Sequence, residues 1–187
     1  MKTPLKGVFV CIKQKNVIIV SMMTDKEFVT ENLIKNNMTI SFMESCTSGL
    51  LASMFTDTQG ASAVFKGSFV TYSNEAKLDA GVDETVIQEY GVYSKECARE
   101  MARVVKEHFN VDIAVGITGT TGNVDPNNMS TSVEGEAYYC IILNETVYDY
   151  HIKIDVKDFS RVEIKNYYAN DVYNSLRKLL EEMNKGL

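Results

Sequence analysis

Five polar side chains follow one another in the segment TISFMESCTSGLL (39–51), where a strand-like run of residues gives way to a helix-like one. They are Glu44, Ser45, Cys46, Thr47 and Ser48. Ser45 and Cys46 are candidate nucleophiles, because backbone N–H groups at a helix N-terminus can stabilise the oxyanion formed when a nucleophile attacks a carbonyl. The segment therefore offers the chemistry of a covalent hydrolase, provided that a base activates the nucleophile.

The same residue types also have purely structural uses. Ser and Thr are common N-cap residues, so Ser45 or Thr47 would cap the helix that we expect from about Thr47 to Thr56. Cys46 would be a small buried apolar side chain. A helix N-terminus also lowers a thiol pKa, which keeps Cys46 as a rival nucleophile to Ser45. Taken alone, the segment favours the capping function.

A base for Ser45 must come from elsewhere, because no histidine stands near it in the sequence. The segment TYSNEAK (71–77) supplies Lys77, and serine–lysine pairs are a known variant of the catalytic triad. To act near neutral pH, Lys77 must have its pKa lowered from about 10.4 to about 7, which burial would achieve. Tyr72 would relay or orient the proton. Taken alone, Lys77 is a solvated helix residue and Tyr72 a strand residue with an outward hydroxyl.

A third polar segment, GITGTTG (116–122), follows another strand-like run. It does not match the phosphate-loop pattern GxxxxGK[ST], so hydrolysis of nucleoside triphosphates is poorly supported. Taken alone, its glycines are turn residues. All three segments stand where a predicted strand ends, and ligands collect at the carboxyl ends of strands in open α/β sheets. We therefore expect the three segments to converge on one crevice.

Strand-like and helix-like patterns alternate along the whole chain. Strands are predicted at 38–43, 65–73, 112–118, 135–143 and 145–154, and helices at 25–35, 47–56, 74–80, 84–90, 94–109 and 159–183. This order predicts one three-layer α/β/α domain with a mixed sheet. The domain spans 1–187, with residues 1–24 as an N-terminal β-hairpin that turns at 14–16. The long loop 119–134 is expected to be functional or disordered.

Composition excludes several classes of function. The net charge of −6 is not that of a nucleic-acid-binding protein. No apolar run approaches the roughly 20 residues of a membrane-spanning helix. The four cysteines form no CxxC pair, which favours reduced thiols in the cytoplasm and no structural zinc site. His108 and His151 have no partner at metal-ligand spacing.

In this order, the three segments resemble the motifs of the CinA C-terminal domain family. ESCTSG is similar to the family's ESCTGG, YSNEAK to YSN-x-x-K, and GITGTTG to GITG-x-x-G. The resemblance extends from about Asp25 to Leu180. It implies an amidase that converts nicotinamide mononucleotide to nicotinic acid mononucleotide and ammonia, without a metal or other cofactor. It also implies a homo-oligomer whose ligand is a small pyridine nucleotide.

The resemblance assigns roles to individual residues. Ser45 is implied to be the nucleophile, Lys77 the general base and Tyr72 the assisting hydroxyl. Backbone N–H groups around Cys46 and Thr47 would hold the oxyanion. The residues implied to bind the substrate are Glu44, Cys46, Thr47, Gly49, Asn74, Thr118 and Gly119.

The chain departs from the family pattern at two places. Ser48 stands where the family has glycine. In the third loop, Asp125, Asn127 and Asn128 replace a glycine-rich run. Asp125 would repel a phosphate, so we expect weaker binding of nicotinamide mononucleotide than in glycine-rich relatives. The altered loop keeps two alternatives open, namely a binding or interaction protein that no longer turns over the substrate, and a serine–lysine hydrolase of another small amide.

Overall fold

The computed structural model of the protein describes residues 8–13, 16–21, 23–130 and 132–186. The strands are β1 (Val8–Lys13), β2 (Asn16–Ser21), β3 (Ile40–Glu44), β4 (Phe65–Val70), β5 (Ile113–Gly119), β6 (Glu136–Leu143) and β7 (Thr146–Lys153). The helices are α1 (Asp25–Asn36), α2 (Leu50–Thr56), α3 (Asn74–Asp79), α4 (Glu84–Tyr90), α5 (Lys95–Phe109) and α6 (Arg161–Lys185), with a short 3-10 helix at Ala61–Ala63. No helix within this described part is long and apolar enough to cross a membrane.

Five strands form the central sheet in the order β4-β3-β5-β6-β7. Strand β3 lies in the middle of the parallel part, between β4 and β5. Strands β6 and β7 continue the sheet in antiparallel pairing. The sheet is therefore mixed, as the sequence predicts, and the carboxyl ends of its three parallel strands lie side by side.

Helices cover both faces of this sheet. Successive strand residues point to opposite faces, and β3 shows the result. Phe42 packs with Leu33 of α1, Phe55 of α2 and Tyr168 of α6, whereas Met43 packs in a separate core cluster with α5. These two cores confirm the predicted three-layer α/β/α fold.

Helix starts follow the capping chemistry of the sequence in two long helices. The Ser94 hydroxyl accepts a hydrogen bond from the Cys97 amide at the start of α5. Ser160 and Glu163 form a reciprocal capping box at the start of α6. Helix α2 differs from prediction, since it begins at Leu50 and not near Thr47.

The N-terminal strands β1 and β2 pair with each other in antiparallel register and form a sheet separate from the central one. The predicted turn at 14–16 includes residues 14 and 15, which lie outside the described residues. The division of the chain into one domain and a hairpin extension stays a prediction.

Candidate active site

The turn between β3 and α2 holds Ser45 at the centre of the parallel strands. The Ser45 amide donates to the Ile117 carbonyl of β5 at 3.0 Å, which continues the strand pairing by one residue. The Ser48 amide donates to the Ser45 carbonyl at 3.1 Å. Ser48 has a φ of 55° and Gly49 a φ of 89°, so two consecutive residues are left-handed. This conformation ends the strand abruptly and delays the helix, and neither Ser45 nor Thr47 serves as the predicted N-cap.

Glu44 stabilises this turn from beneath. Its side chain is fully buried, and its carboxylate accepts hydrogen bonds from the Thr47 hydroxyl at 2.8 Å and from the Leu51 and Ala52 amides at 3.0 Å each. The carboxylate thus satisfies the free amides of the first turn of α2, as a capping side chain would. Glu44, Thr47 and Gly49 do not line the cavity described below, and their contact with a substrate stays a prediction.

Ser45 and Lys77 meet despite their separation in sequence. The Lys77 ammonium group donates to Ser45 Oγ at 3.1 Å and to the Thr71 carbonyl at 3.0 Å. Lys77 is 1% exposed, and burial lowers its pKa. Among the described residues, no carboxylate lies within ion-pair distance of it. Lys77 therefore has the surroundings that favour a neutral amine, which is the form able to take a proton from Ser45.

Cys46 also borders the cavity, but its thiol is poorly suited to attack. Burial raises its pKa to about 12, so the reactive thiolate is scarce at neutral pH. The backbone is better placed to contribute. Within the described part of the chain, the amides of Cys46 and Thr47 donate to no carbonyl oxygen. These amides are candidate donors to an oxyanion.

Tyr72 lines the cavity without contacting the serine–lysine pair. It is 61% exposed, and its hydroxyl accepts a hydrogen bond from the Arg161 guanidinium at 3.3 Å. No hydrogen bond joins Tyr72 to Lys77 or Ser45 among the described residues. Tyr72 thus forms part of the cavity wall, and the proton relay expected from the sequence stays a prediction.

The cavity above Ser45 has a volume of about 470 Å³, which lies within the range of small-molecule sites. Its walls come from the β3–α2 turn, the β4–α3 junction, the loop after β5 and the start of α6. The predicted site residues that line it are Ser45, Cys46, Tyr72, Asn74 and Gly119. Lys77 lies behind Ser45, and the Thr118 hydroxyl faces away, because it donates to the Val92 carbonyl at 2.7 Å.

Side-chain hydrogen bonds hold the loop after β5 in place along the cavity. Tyr93 and Asn128 each donate to Asp125 Oδ2 at 2.7 Å, and the Asn127 amide donates to Asp125 Oδ1 at 3.0 Å. These donors hold the pKa of Asp125 below its usual range. Asn128 also accepts from Asn74 Nδ2 at 3.0 Å, which joins the loop to the start of α3. The residues that replace the family's glycines thus build a hydrogen-bonded wall.

Arg161 and Tyr93 are cavity residues that sequence reasoning missed. Arg161 is the first residue of α6, and its guanidinium donates to the Thr121 carbonyl at 2.9 Å as well as to Tyr72. It has no carboxylate partner among the described residues. In the sequence, Arg161 is simply a basic residue next to the helix cap Ser160. Cations are disfavoured at helix N-termini, but this alone does not indicate a cavity residue.

Comparison with known proteins identifies the family of the chain. The model of the CinA C-terminal domain matches residues 23–180. A "CinA-like protein" of Fervidobacterium nodosum is 50% identical over 102 residues, and the match covers 52% of this chain and 25% of that protein. The "Protein MG115 homolog" of Mycoplasma pneumoniae is 34% identical over 156 residues, which cover 83% of this chain and 96% of that protein.

Solved structures show the same fold. A CinA superfamily protein of Klebsiella pneumoniae superposes with a TM-score of 0.78 at 19% identity, over 84% of this chain and 96% of that one. The protein CihA of Agrobacterium tumefaciens superposes with a TM-score of 0.66 at 27% identity, over 89% and 98% of the two chains. The family model covers most of the chain and includes all three polar segments that meet at the cavity, and the chain therefore belongs to the CinA C-terminal domain family.

Proposed function

We propose that the protein is an amidase that hydrolyses the carboxamide of nicotinamide mononucleotide. One observation carries this proposal, namely the hydrogen bond between Ser45 Oγ and the amine of the buried Lys77. A serine next to a lysine with a lowered pKa is an activated nucleophile. The membership of the family adds the expectation of a pyridine-nucleotide substrate.

The chemistry follows from the position of each group. Neutral Lys77 takes the proton of Ser45 Oγ as the oxygen attacks the carboxamide carbon, and the amides of Cys46 and Thr47 donate to the oxyanion. Protonated Lys77 then gives its proton to the leaving nitrogen, ammonia departs, and the acid remains as an ester on Ser45. A water molecule deprotonated by Lys77 attacks this ester, which releases the carboxylate and restores Ser45.

Two cavity residues support a substrate larger than the amide. Arg161 lines the cavity and has no acidic partner among the described residues, and a guanidinium suits a phosphate. Tyr72 supplies an exposed ring beside it, and we propose that its hydroxyl assists by orienting the substrate. From the family resemblance we also propose a homo-oligomer that acts in the cytoplasm.

The second candidate is a protein that binds a nucleotide without turnover, or that acts on another small amide. The wall formed by Asp125, Asn128 and Asn74 favours it, because these side chains narrow a cavity that glycines would leave open. Ammonia release separates the candidates. We expect release from nicotinamide mononucleotide by the wild-type protein and none by Ser45→Ala. Turnover of nicotinamide riboside or nicotinamide alone would identify a different amide substrate, and no release from any of them would leave binding only.

A further inference from the structure

The cavity contains an acidic side chain, Asp125, that forms no ion pair within the described part of the chain. Asp125 lines the same cavity as Ser45. Among the described residues, no lysine, arginine or histidine lies within ion-pair distance of its carboxylate. Hydrogen bonds stabilise this charge without neutralising it, so a cationic group in the cavity would meet an opposite charge. Asp125 is therefore a candidate to meet a cation.

Hydrogen bonds within the protein already use most of the acceptor capacity of the Asp125 carboxylate. Oδ2 accepts from Tyr93 and Asn128, and Oδ1 accepts from the Asn127 amide. These bonds keep the group ionised and fix its position, while they leave little capacity for donors on a ligand. Such a carboxylate suits a cation that carries charge without N–H groups. A ring whose nitrogen is bonded to three carbons is a cation of this kind.

The carboxylate shares its cavity with the proposed nucleophile, Ser45. Its negative charge is also one of the smaller influences that raise the pKa of Lys77 against the effect of burial. The aromatic side chains of Tyr72 and Tyr93 line the same cavity, and the faces of such rings attract cations. The other carboxylate in the lining, Glu75, is exposed to solvent, which screens its charge.

We propose that Asp125 binds the positively charged ring of the substrate, so that the site selects carboxamides on a cationic ring over those on a neutral ring. This inference rests on the proposed function and adds a determinant of its substrate class. It also reverses the effect that the sequence suggested for Asp125, since attraction of the ring replaces repulsion of the phosphate.

The test uses two ligands that differ mainly in ring charge. Nicotinamide mononucleotide has a cationic ring, whereas its dihydro form has a neutral ring and keeps the carboxamide, ribose and phosphate. Both are titrated calorimetrically into Ser45→Ala, which cannot form the acyl-enzyme. We expect the oxidised form to bind about five- to tenfold more tightly, as one charge pair in a partly wet site provides. In the double variant Ser45→Ala/Asp125→Asn, most of this difference in affinity between the oxidised and dihydro forms should be lost.

Matched variants separate charge from structure. Glu134→Gln removes the same charge from an exposed position in the same loop, outside the cavity lining, and should leave the ratio unchanged. Tyr93→Phe removes one hydrogen bond but keeps the carboxylate, and should retain most of the ratio. Thermal unfolding of each variant checks that the fold is intact.

The outcomes are distinct. A ratio unchanged by Asp125→Asn overturns the inference. If Asp125→Asn strengthens the binding of both ligands equally, the inference is also overturned. Both ligands carry the phosphate, so this result would place Asp125 beside the phosphate. Failure of wild-type protein to release ammonia refutes the proposed amidase, yet an Asp125-dependent ratio would still establish the cation site. Binding of neither form overturns the inference whatever the ammonia assay gives.

Discussion

Ser45 and Cys46 are adjacent in the chain and both border the cavity, but their surroundings separate their roles. Ser45 Oγ contacts Lys77, whereas burial raises the pKa of the Cys46 thiol to about 12. We expect Ser45→Ala to abolish deamidation and Cys46→Ala to retain most of it, as measured by ammonia release under saturating substrate. Loss of activity in Cys46→Ala, with unchanged thermal unfolding, would assign the nucleophile to the thiol.

We expect Lys77 to set the pH dependence of the proposed reaction. Burial lowers its pKa, so the neutral amine forms at lower pH than in a solvated lysine. We expect kcat/KM to rise with pH as Lys77 loses its proton and to level off above its pKa. Lys77→Arg should be nearly inactive throughout, because a guanidinium stays protonated. The exposed Lys66→Arg is the matched control. A flat profile, or an active Lys77→Arg, would show that Lys77 contributes only charge.

Sequence motifs predicted these reacting residues but not the whole cavity. Ser45 and Lys77 stand in recognisable patterns, and the structure brings them together. Arg161 and Tyr93 reach the cavity only because α6 and the segment before α5 pack beside it, which is a tertiary event with no local signal. Tyr72 was predicted near Lys77, yet its side chain points to Arg161 instead.

Between β3 and α2, a buried carboxylate replaces the cap that the sequence suggested. The Glu44 carboxylate accepts hydrogen bonds from two amides of α2 and from the Thr47 hydroxyl. We expect Glu44→Gln to lower the free energy of unfolding by about 2–4 kcal/mol. The side-chain NH2 group of the glutamine would face backbone N–H donors, and buried hydrogen bonds to a charged group would be lost. Urea denaturation measures this loss.

The control for this change is Glu31→Gln on the exposed side of α1, which should cost less than about 0.5 kcal/mol. We also expect Glu44→Gln to reduce deamidation, because the turn that carries Ser45 rests on this carboxylate. A variant with wild-type stability would mean that the turn is held by its backbone alone.

Element types followed from hydrophobic patterns, while their exact junctions did not. The delayed start of α2 depends on the left-handed conformation of Ser48, a residue that rarely adopts it. Gly116 is a second example, since its strand was predicted but its packing role was not. It lies inside β5, where a Cβ atom would stand 2.2 Å from the Ala98 carbonyl oxygen of α5. Its role is the close packing of helix on sheet, which a single sequence does not reveal.

The central sheet and the helices that cover it contain all the residues named above for the proposed site. The cavity-lining residues fall between Ser45 and Arg161, and the two main cores lie between Val29 and Leu180. Strands β1 and β2 form their own sheet. We therefore expect a chain that begins at Met23 to fold and to retain most of the deamidation rate.

Circular dichroism and the ammonia assay, run beside the full chain, measure this outcome. Loss of activity with retained secondary structure would mean that residues 1–22 contribute to the site or to assembly.

The hydrogen bond between Ser45 and Lys77 has a kinetic consequence for a newly made chain. Its partners are 32 residues apart, and the contact between Tyr72 and Arg161 spans 89 residues. Contacts of such long sequence separation form late, after the entropy of closing the intervening chain has been overcome. Lys77 can reach Ser45 only when β3 and the β4–α3 junction lie side by side. If Ser45 is the nucleophile, we expect activity during refolding to return only after these two elements have come together.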